Sequence, residues 1–196
     1  IASGPNGAIK KVIFAGYATD PLNYEYIDDL VECALKNGQI NGFNTKALRV
    51  SDRLVKLLSD KNTVEKCYFN VSVDAGSAQS YNDVHSIKSK KDIYHKILEN
   101  ISRITAAIKI SGVKRDVSAS YLITHQNNSP QEIEAAVRDI SDAGANLITF
   151  HPYPNETYAN EQIIQQINQL EMQAGVAFNP DQEIDPHTTY LNLIDF

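Results

Sequence analysis

The polar side chains of this sequence that could do chemistry fall in short clusters, each just after an apolar run. They are Ala18-Thr19-Asp20-Pro21, Asn44-Thr45-Lys46, Ser72 with Asp74, Thr124 with Asn127 and Asn128, and His151. A lysine placed like Lys46, at the mouth of a strand, acts as a Schiff-base nucleophile toward a carbonyl compound if burial lowers its pKa; more often such a lysine is solvated or salt-bridged. Asp20 has the position of a turn-forming cap, and Asp74 that of a cap on the Gly76-Ser77 turn. At least one of Asn127 and Asn128 reads as a turn residue. Tyr17, Tyr121 and Tyr153 sit where they could line a site, although strand-end tyrosines more often pack with a wet hydroxyl. His85, His95 and His187 read as solvated surface residues, and no histidine–carboxylate pair has metal-ligand spacing. Two cysteines, Cys33 and Cys67, are too few for a zinc or iron–sulfur site and argue against a disulfide framework. Neither a Gly-x-Ser-x-Gly elbow, a Gly-x-Gly-x-x-Gly turn nor a phosphate loop occurs.

The elements that must position these clusters alternate. Short apolar runs at 12–15, 39–45, 67–74, 117–124 and 146–150 read as strands, and 176–178 as a possible last one. Between them lie amphipathic helices at 24–37, 52–59, 78–83, 91–110 and 130–143, then a glutamine-rich one at 159–174. In the first helix Tyr24, Ile27, Leu30, Val31, Ala34 and Leu35 share a face, with Cys33 on its apolar side. Ser51 and Ser129 are expected N-caps, and Gly38, Gly112 and Gly144 mark helix ends. In 67–74 the set Tyr68, Asn70, Ser72 and Asp74 alternates with Phe69, Val71 and Val73, so the polar set can face a ligand while the apolar set packs under helices. Five to six strand–helix units in series predict a parallel α/β sheet. Periodicity leaves an open doubly wound sheet and a partial (β/α) TIM-like barrel both possible, and a full barrel needs about 250 residues.

At 196 residues, with 42% hydrophobic and 21% charged residues, the chain is of ordinary globular composition. Its net charge of −6 and lack of a basic block speak against nucleic-acid binding. No apolar run approaches the roughly 20 residues of a membrane span. Cysteine usage suggests a cytoplasmic, reducing home. Ile1 is not an initiator and no signal peptide precedes it, so the sequence looks like a piece of a longer one. Residues 1–178 read as one barrel unit, and 179–196 as a tail or the start of a following segment.

The strand-end clusters, in order, resemble the radical S-adenosylmethionine (SAM) superfamily. The similarity is carried by Gly16 to Leu22, Asn44 to Lys46, Phe69 to Ser77 and Tyr121 to Asn128, and covers about residues 9–154. It implies a partial (β/α) barrel, entered at that family's second strand, whose mouth holds SAM and a 4Fe-4S cluster. Ala18-Thr19-Asp20-Pro21 stands where the family has Gly-Gly-Glu-Pro, a turn that binds the SAM amino group; an ammonium suits carbonyl oxygens and a carboxylate. Thr45 falls where the family often reads Thr-Asn-Gly. Ser72 and Asp74 match the region facing the SAM carboxylate and ribose, Thr124 and Asn127 a strand end that reaches SAM or substrate, and His151 the adenine or substrate side.

The family's Cys-x-x-x-Cys-x-x-Cys loop is missing, and Cys33 and Cys67 match neither its spacing nor its place. The resemblance therefore places the cluster ligands upstream of Ile1, and by itself this chain is expected to hold no cluster and run no radical chemistry. With such a loop the parent enzyme would cleave SAM to a 5′-deoxyadenosyl radical, fed by a flavodoxin or ferredoxin and acting on a small molecule or peptide. The competing expectations are another TIM-barrel enzyme, such as a Schiff-base aldolase using Lys46, and a non-catalytic degenerate barrel serving as a binding scaffold.

Overall fold

Strand follows helix along the chain, and each strand is laid beside the one before it. The computed structural model describes residues 9–16, 19–88, 92–152 and 189–192. In order they form β1 (Lys11–Phe14), a 3-10 turn (Pro21–Asn23), α1 (Ile27–Lys36), β2 (Ile40–Thr45), α2 (Asp52–Leu58) and α3 (Lys61–Val64). There follow β3 (Cys67–Ser72), α4 (Ala78–Val84), α5 (Ile93–Ile110), β4 (Val117–Ile123), α6 (Pro130–Asp142), β5 (Leu147–Pro152) and β6 (Thr189–Asn192). The first five strands are parallel and in sequential order. A doubly wound sheet reverses its strand order at a switch point. Here there is no reversal, and the architecture is a partial TIM-like (β/α) barrel.

Alternation within each strand separates two faces. Cys67, Phe69 and Val71 of β3 and Val117, Ala119 and Tyr121 of β4 are buried, in one core with Leu54, Leu58, Ile97, Ile101, Ile104, Ile133 and Val137 of the helices. Each such aliphatic side chain stabilises the fold by about 1.5–3 kcal/mol through the apolar surface it removes from water. Phe14, Phe43 and Phe69 stack across β1 to β3 at centroid distances of 5.2 and 4.5 Å. The opposite set, Tyr68, Asn70, Ser72, Ser118, Ser120 and Leu122, is half-buried. The expected orientation, polar side chains away from the helices, is the one observed.

Caps fix the helix starts. Ser51 accepts from the Leu54 amide, Ser77 from Ser80 and Ser129 from Glu132, and Asp60 and Asp92 do the same for α3 and α5. Several expectations change. The helix anticipated at 24–37 begins only at Ile27, because the 3-10 turn holds the chain before it; Tyr24 and Leu30 are exposed, and Cys33 lies on the exposed side. Asp60 nucleates α3, a single turn that hydrophobic period cannot reveal. β3 ends at Ser72, since Asp74 turns into a left-handed conformation with φ of 53°. β5 runs two residues further than expected and takes in His151. Within the expected tail, Thr189–Asn192 returns to pair antiparallel with β5. The expected helix at 159–174 and strand at 176–178, together with Tyr17, Ala18, Tyr153 and His187, lie outside the described residues.

Candidate functional site

The loops after β1 and β2 meet through one carboxylate. Asp20 caps the 3-10 turn by accepting from the Leu22 amide at 2.9 Å, and accepts the Thr45 hydroxyl at 2.7 Å and the Lys46 amide. The Thr45 hydroxyl accepts in turn from the Ala47 amide at 2.8 Å. Gly16 makes this loop possible, because a Cβ there would lie 1.6 Å from the Thr19 carbonyl oxygen. Together these loops wall a cavity of about 520 Å³ at the carboxyl ends of the strands, lined by Thr19, Asp20, Asn44, Thr45, Lys46 and Ser72 among others. Both oxygens of Asp20 already have protein donors, so it shapes the wall more than it presents a free charge. On β3 the Ser72 hydroxyl accepts from Ser120 at 3.2 Å.

Next to the cavity runs a line of charged and titratable groups. The Lys46 ammonium lies 3.3 Å from His85 Nδ1, and His85 Nε2 lies 3.5 Å from Asp74 Oδ2. Nε2 is buried and makes no hydrogen bond of acceptable geometry. The other oxygen of Asp74 accepts from the Leu122 amide at 2.8 Å and ties the loop after β3 to β4. His85 caps the end of α4 and rests against Tyr81, ring centroids 4.4 Å apart. Burial first, then the charges of Asp74 and Asp20, push the Tyr81 phenol well above its usual range. The surface role expected of His85 is therefore wrong: its side chain is only 18% exposed. Tyr81 and His85 are four apart on one helix, so a buried Tyr81 places His85 on the same face. That spacing was the available signal.

Other assignments shift similarly. Asp74 does not cap the Gly76-Ser77 turn. Glu132 of α6 does, accepting from the Gly76 amide at 2.7 Å, the Ser77 hydroxyl at 3.1 Å and the Ser80 hydroxyl. Asn127 is wholly buried and fully engaged. Its Oδ1 accepts from the Thr124 amide at 2.6 Å, and its Nδ2 donates to the carbonyls of Leu122 and Asp74 at 2.7 and 2.8 Å. The Tyr121 hydroxyl donates to its backbone carbonyl at 2.8 Å. Thr124, also buried, directs its hydroxyl to Gln126 and Asn127. Both residues hold the loop after β4 closed, where a ligand contact was anticipated. His151 is half-buried at the end of β5, in register with Leu122 and apart from the cavity lining.

Of the anticipated ligand contacts, the structure thus brings Thr19, Asp20, Thr45 and Ser72 to one cavity and Asp74 beside it through His85 and Lys46. Cys67 begins β3, at the end remote from the mouth, where burial pushes its thiol up to about 12; Cys33 is exposed on α1. Among the described residues no group of three His, Cys, Asp or Glu side chains could hold a metal ion, so an iron–sulfur cluster finds no ligand set in them.

Comparison with known proteins bears on the fold. The Ribulose-phosphate 3 epimerase family, a TIM-barrel family, matches residues 129–196 by its family model. No curated protein matches the chain. Among solved structures, archaeal TYW1 superposes with a TM-score of 0.62 at 18% identity, over 93% of this chain and 56% of that one. Streptococcus suis SuiB gives a TM-score of 0.61 at 12% identity, over 86% of this chain and 37% of its own. SuiB bound to S-adenosylmethionine gives the same score and identity, over 86% and 36%. At these identities the likeness is one of fold, and this barrel shares the fold of TYW1 and SuiB. It spans little more than half of the one chain and less of the other.

Proposed function

We propose that this chain is the SAM-binding barrel portion of a radical SAM enzyme. The observation that carries the reading is the convergence of Thr19, Asp20, Thr45 and Ser72, from the ends of β1, β2 and β3, on one cavity in a barrel of this fold. A zwitterionic amino-acid end suits that lining. Carbonyls of the first loop, braced by Asp20, offer acceptors to an ammonium, and the Ser72 hydroxyl offers a donor to a carboxylate. SAM supplies an electrophilic sulfonium whose reductive cleavage yields a carbon radical. The part of this chain is to bind and orient SAM at the mouth.

The cluster that would reduce SAM does not fit the residues described here, and its ligands are proposed to lie in another part of the parent protein. Such a parent would draw electrons from a flavodoxin or ferredoxin in the cytoplasm and act on a small molecule or peptide. Equilibrium dialysis of this chain with labelled SAM tests the binding step without a cluster. Saturable binding is expected, weakened about tenfold by Ser72→Ala, the loss of one hydrogen bond to a charged group. Absence of saturable binding, or binding indifferent to Ser72→Ala, would argue for the scaffold reading.

A further inference from the structure

A half-buried cation without a counter-charge stands at the mouth. Lys46 lines the cavity, and among the described residues its ammonium has one polar contact, the Nδ1 of His85 at 3.3 Å. No carboxylate of those residues lies within ion-pair distance of it, whereas the exposed Lys36, Lys61 and Lys96 each have a glutamate. A charge drawn partly out of water favours a partner, and here the protein supplies none. For the ammonium to donate to Nδ1, the imidazole proton must sit on Nε2, the nitrogen 3.5 Å from Asp74 Oδ2. Asp74 is held by the Leu122 amide, and His85 by the ring of Tyr81. Among the described residues three other than glycine have a positive φ: Ala47 at 51°, Asp74 at 53° and Ser86 at 51°. Each belongs to this line of side chains or adjoins it. L residues take that conformation at a cost, and such cost gathers where function needs a side chain held in place.

We infer that Lys46, oriented by His85 and Asp74, binds the carboxylate of a second ligand beside SAM, which makes a small polar monocarboxylate the substrate class of this mouth. The word second rests on the SAM site proposed above; the carboxylate itself does not. One ammonium, with the hydroxyl and amide donors of Thr19, Asn44 and Ser72 on the same wall, matches a single negative charge. A phosphate would call for another cation or a set of free backbone amides. The amides of this corner are already engaged: those of Leu22 and Lys46 by Asp20, and that of Ala47 by the Thr45 hydroxyl. The contact with His85 also draws the ammonium toward α4, while the loop after β1 is proposed to take the ammonium end of SAM. The two ligands then occupy neighbouring places, and Lys46 makes no covalent bond to either.

The test is a titration of the isotope-labelled intact chain with sodium lactate, at constant ionic strength made up with sodium chloride. Lactate offers a carboxylate and a hydroxyl but no carbonyl for an amine to attack. The amides of Thr45 and Ala47 and the ring of His85 are followed by nuclear magnetic resonance. Saturable shifts are expected at all three. Lys46→Met should weaken them about tenfold or more, the loss of one hydrogen bond between charged groups, and Lys46→Arg should restore most of the affinity. Inorganic phosphate should bind more weakly than lactate. The titration is then repeated with excess SAM, and lactate is expected still to bind. The absence of saturable shifts, equal binding by a folded Lys46→Met protein, or tighter binding of phosphate would overturn the carboxylate site. Displacement of lactate by SAM would instead assign Lys46 to the carboxylate of SAM itself and overturn the second ligand. If SAM does not bind at all, the SAM reading fails, and the titration without it still decides whether Lys46 takes a carboxylate.

Discussion

A polar side chain at the end of a strand can face a ligand or another loop, and residue type does not distinguish the two. Asn127 and Ser72 are both candidates for ligand contact in the sequence, although at least one of Asn127 and Asn128 also reads as a turn residue. Asn127 proves to be a brace whose donors and acceptors are all taken by Thr124, Leu122 and Asp74, whereas Ser72 remains on the cavity wall. Replacing Asn127 by Ala would strand buried carbonyls and the Thr124 amide together, and should cost about 3 kcal/mol of stability in urea unfolding. Ser72→Ala, which removes one hydroxyl from a half-buried position, should change stability by less than about 1 kcal/mol. A reversed order of these two effects would contradict the assignment of brace and wall. His85 escaped the sequence reading for a related reason: a lone histidine after a short helix carries no mark of burial until the depth of Tyr81 is known.

Elements were more legible than contacts, because their determinants are local. Ser51 and Ser129 cap where their spacing to the apolar period said they would, and β3 and β4 alternate as written. What local signals cannot supply is the approach of distant backbone, as at Gly76. A Cβ there would lie 1.9 Å from the carbonyl oxygen of Glu132 and 2.8 Å from the amide of Ala136, both on α6. Neither atom can rotate aside, so α6 would have to shift away from the loop after β3. Gly76→Ala is therefore expected to lower stability by about 3 kcal/mol. Moving α6 also moves Glu132 off the Ser77 cap, which should loosen the loop that carries Asp74. Hydrogen exchange would show this as faster exchange of the Gly76 and Leu122 amides, the latter bonded to Asp74. A variant with parent stability would mean the loop and α6 are packed less closely than described.

At the scale of the whole molecule, strand periodicity could not separate a barrel from a doubly wound sheet, since both are made of the same buried parallel strands. Order decides it, and order is a long-range property: β1 to β5 are neighbours in sequence and in space. The return of Thr189–Asn192 against β5 was equally hidden, because a four-residue edge strand has too few alternations to register. The finished core has a consequence for pH. It buries acidic groups in their neutral form: burial is the leading cause that raises Tyr81, Tyr94 and Tyr121 above an ordinary 10.0, with nearby carboxylates adding to it, and that pushes Cys67 from 9.0 to about 12. Between the unfolded and folded values the native state binds more protons, so stability falls as pH rises. The contribution of these groups is complete below about pH 9 and is withdrawn progressively above it. The melting temperature should accordingly hold level from pH 7 to 9 on this account and drop steeply by pH 11. Tyr94→Phe loses the hydrogen bond its hydroxyl donates to Asp139 at 3.0 Å, and should start lower at pH 7 yet fall less on the alkaline side. A parent and variant that decline in parallel would show that ionisation of Tyr94 does not limit alkaline stability.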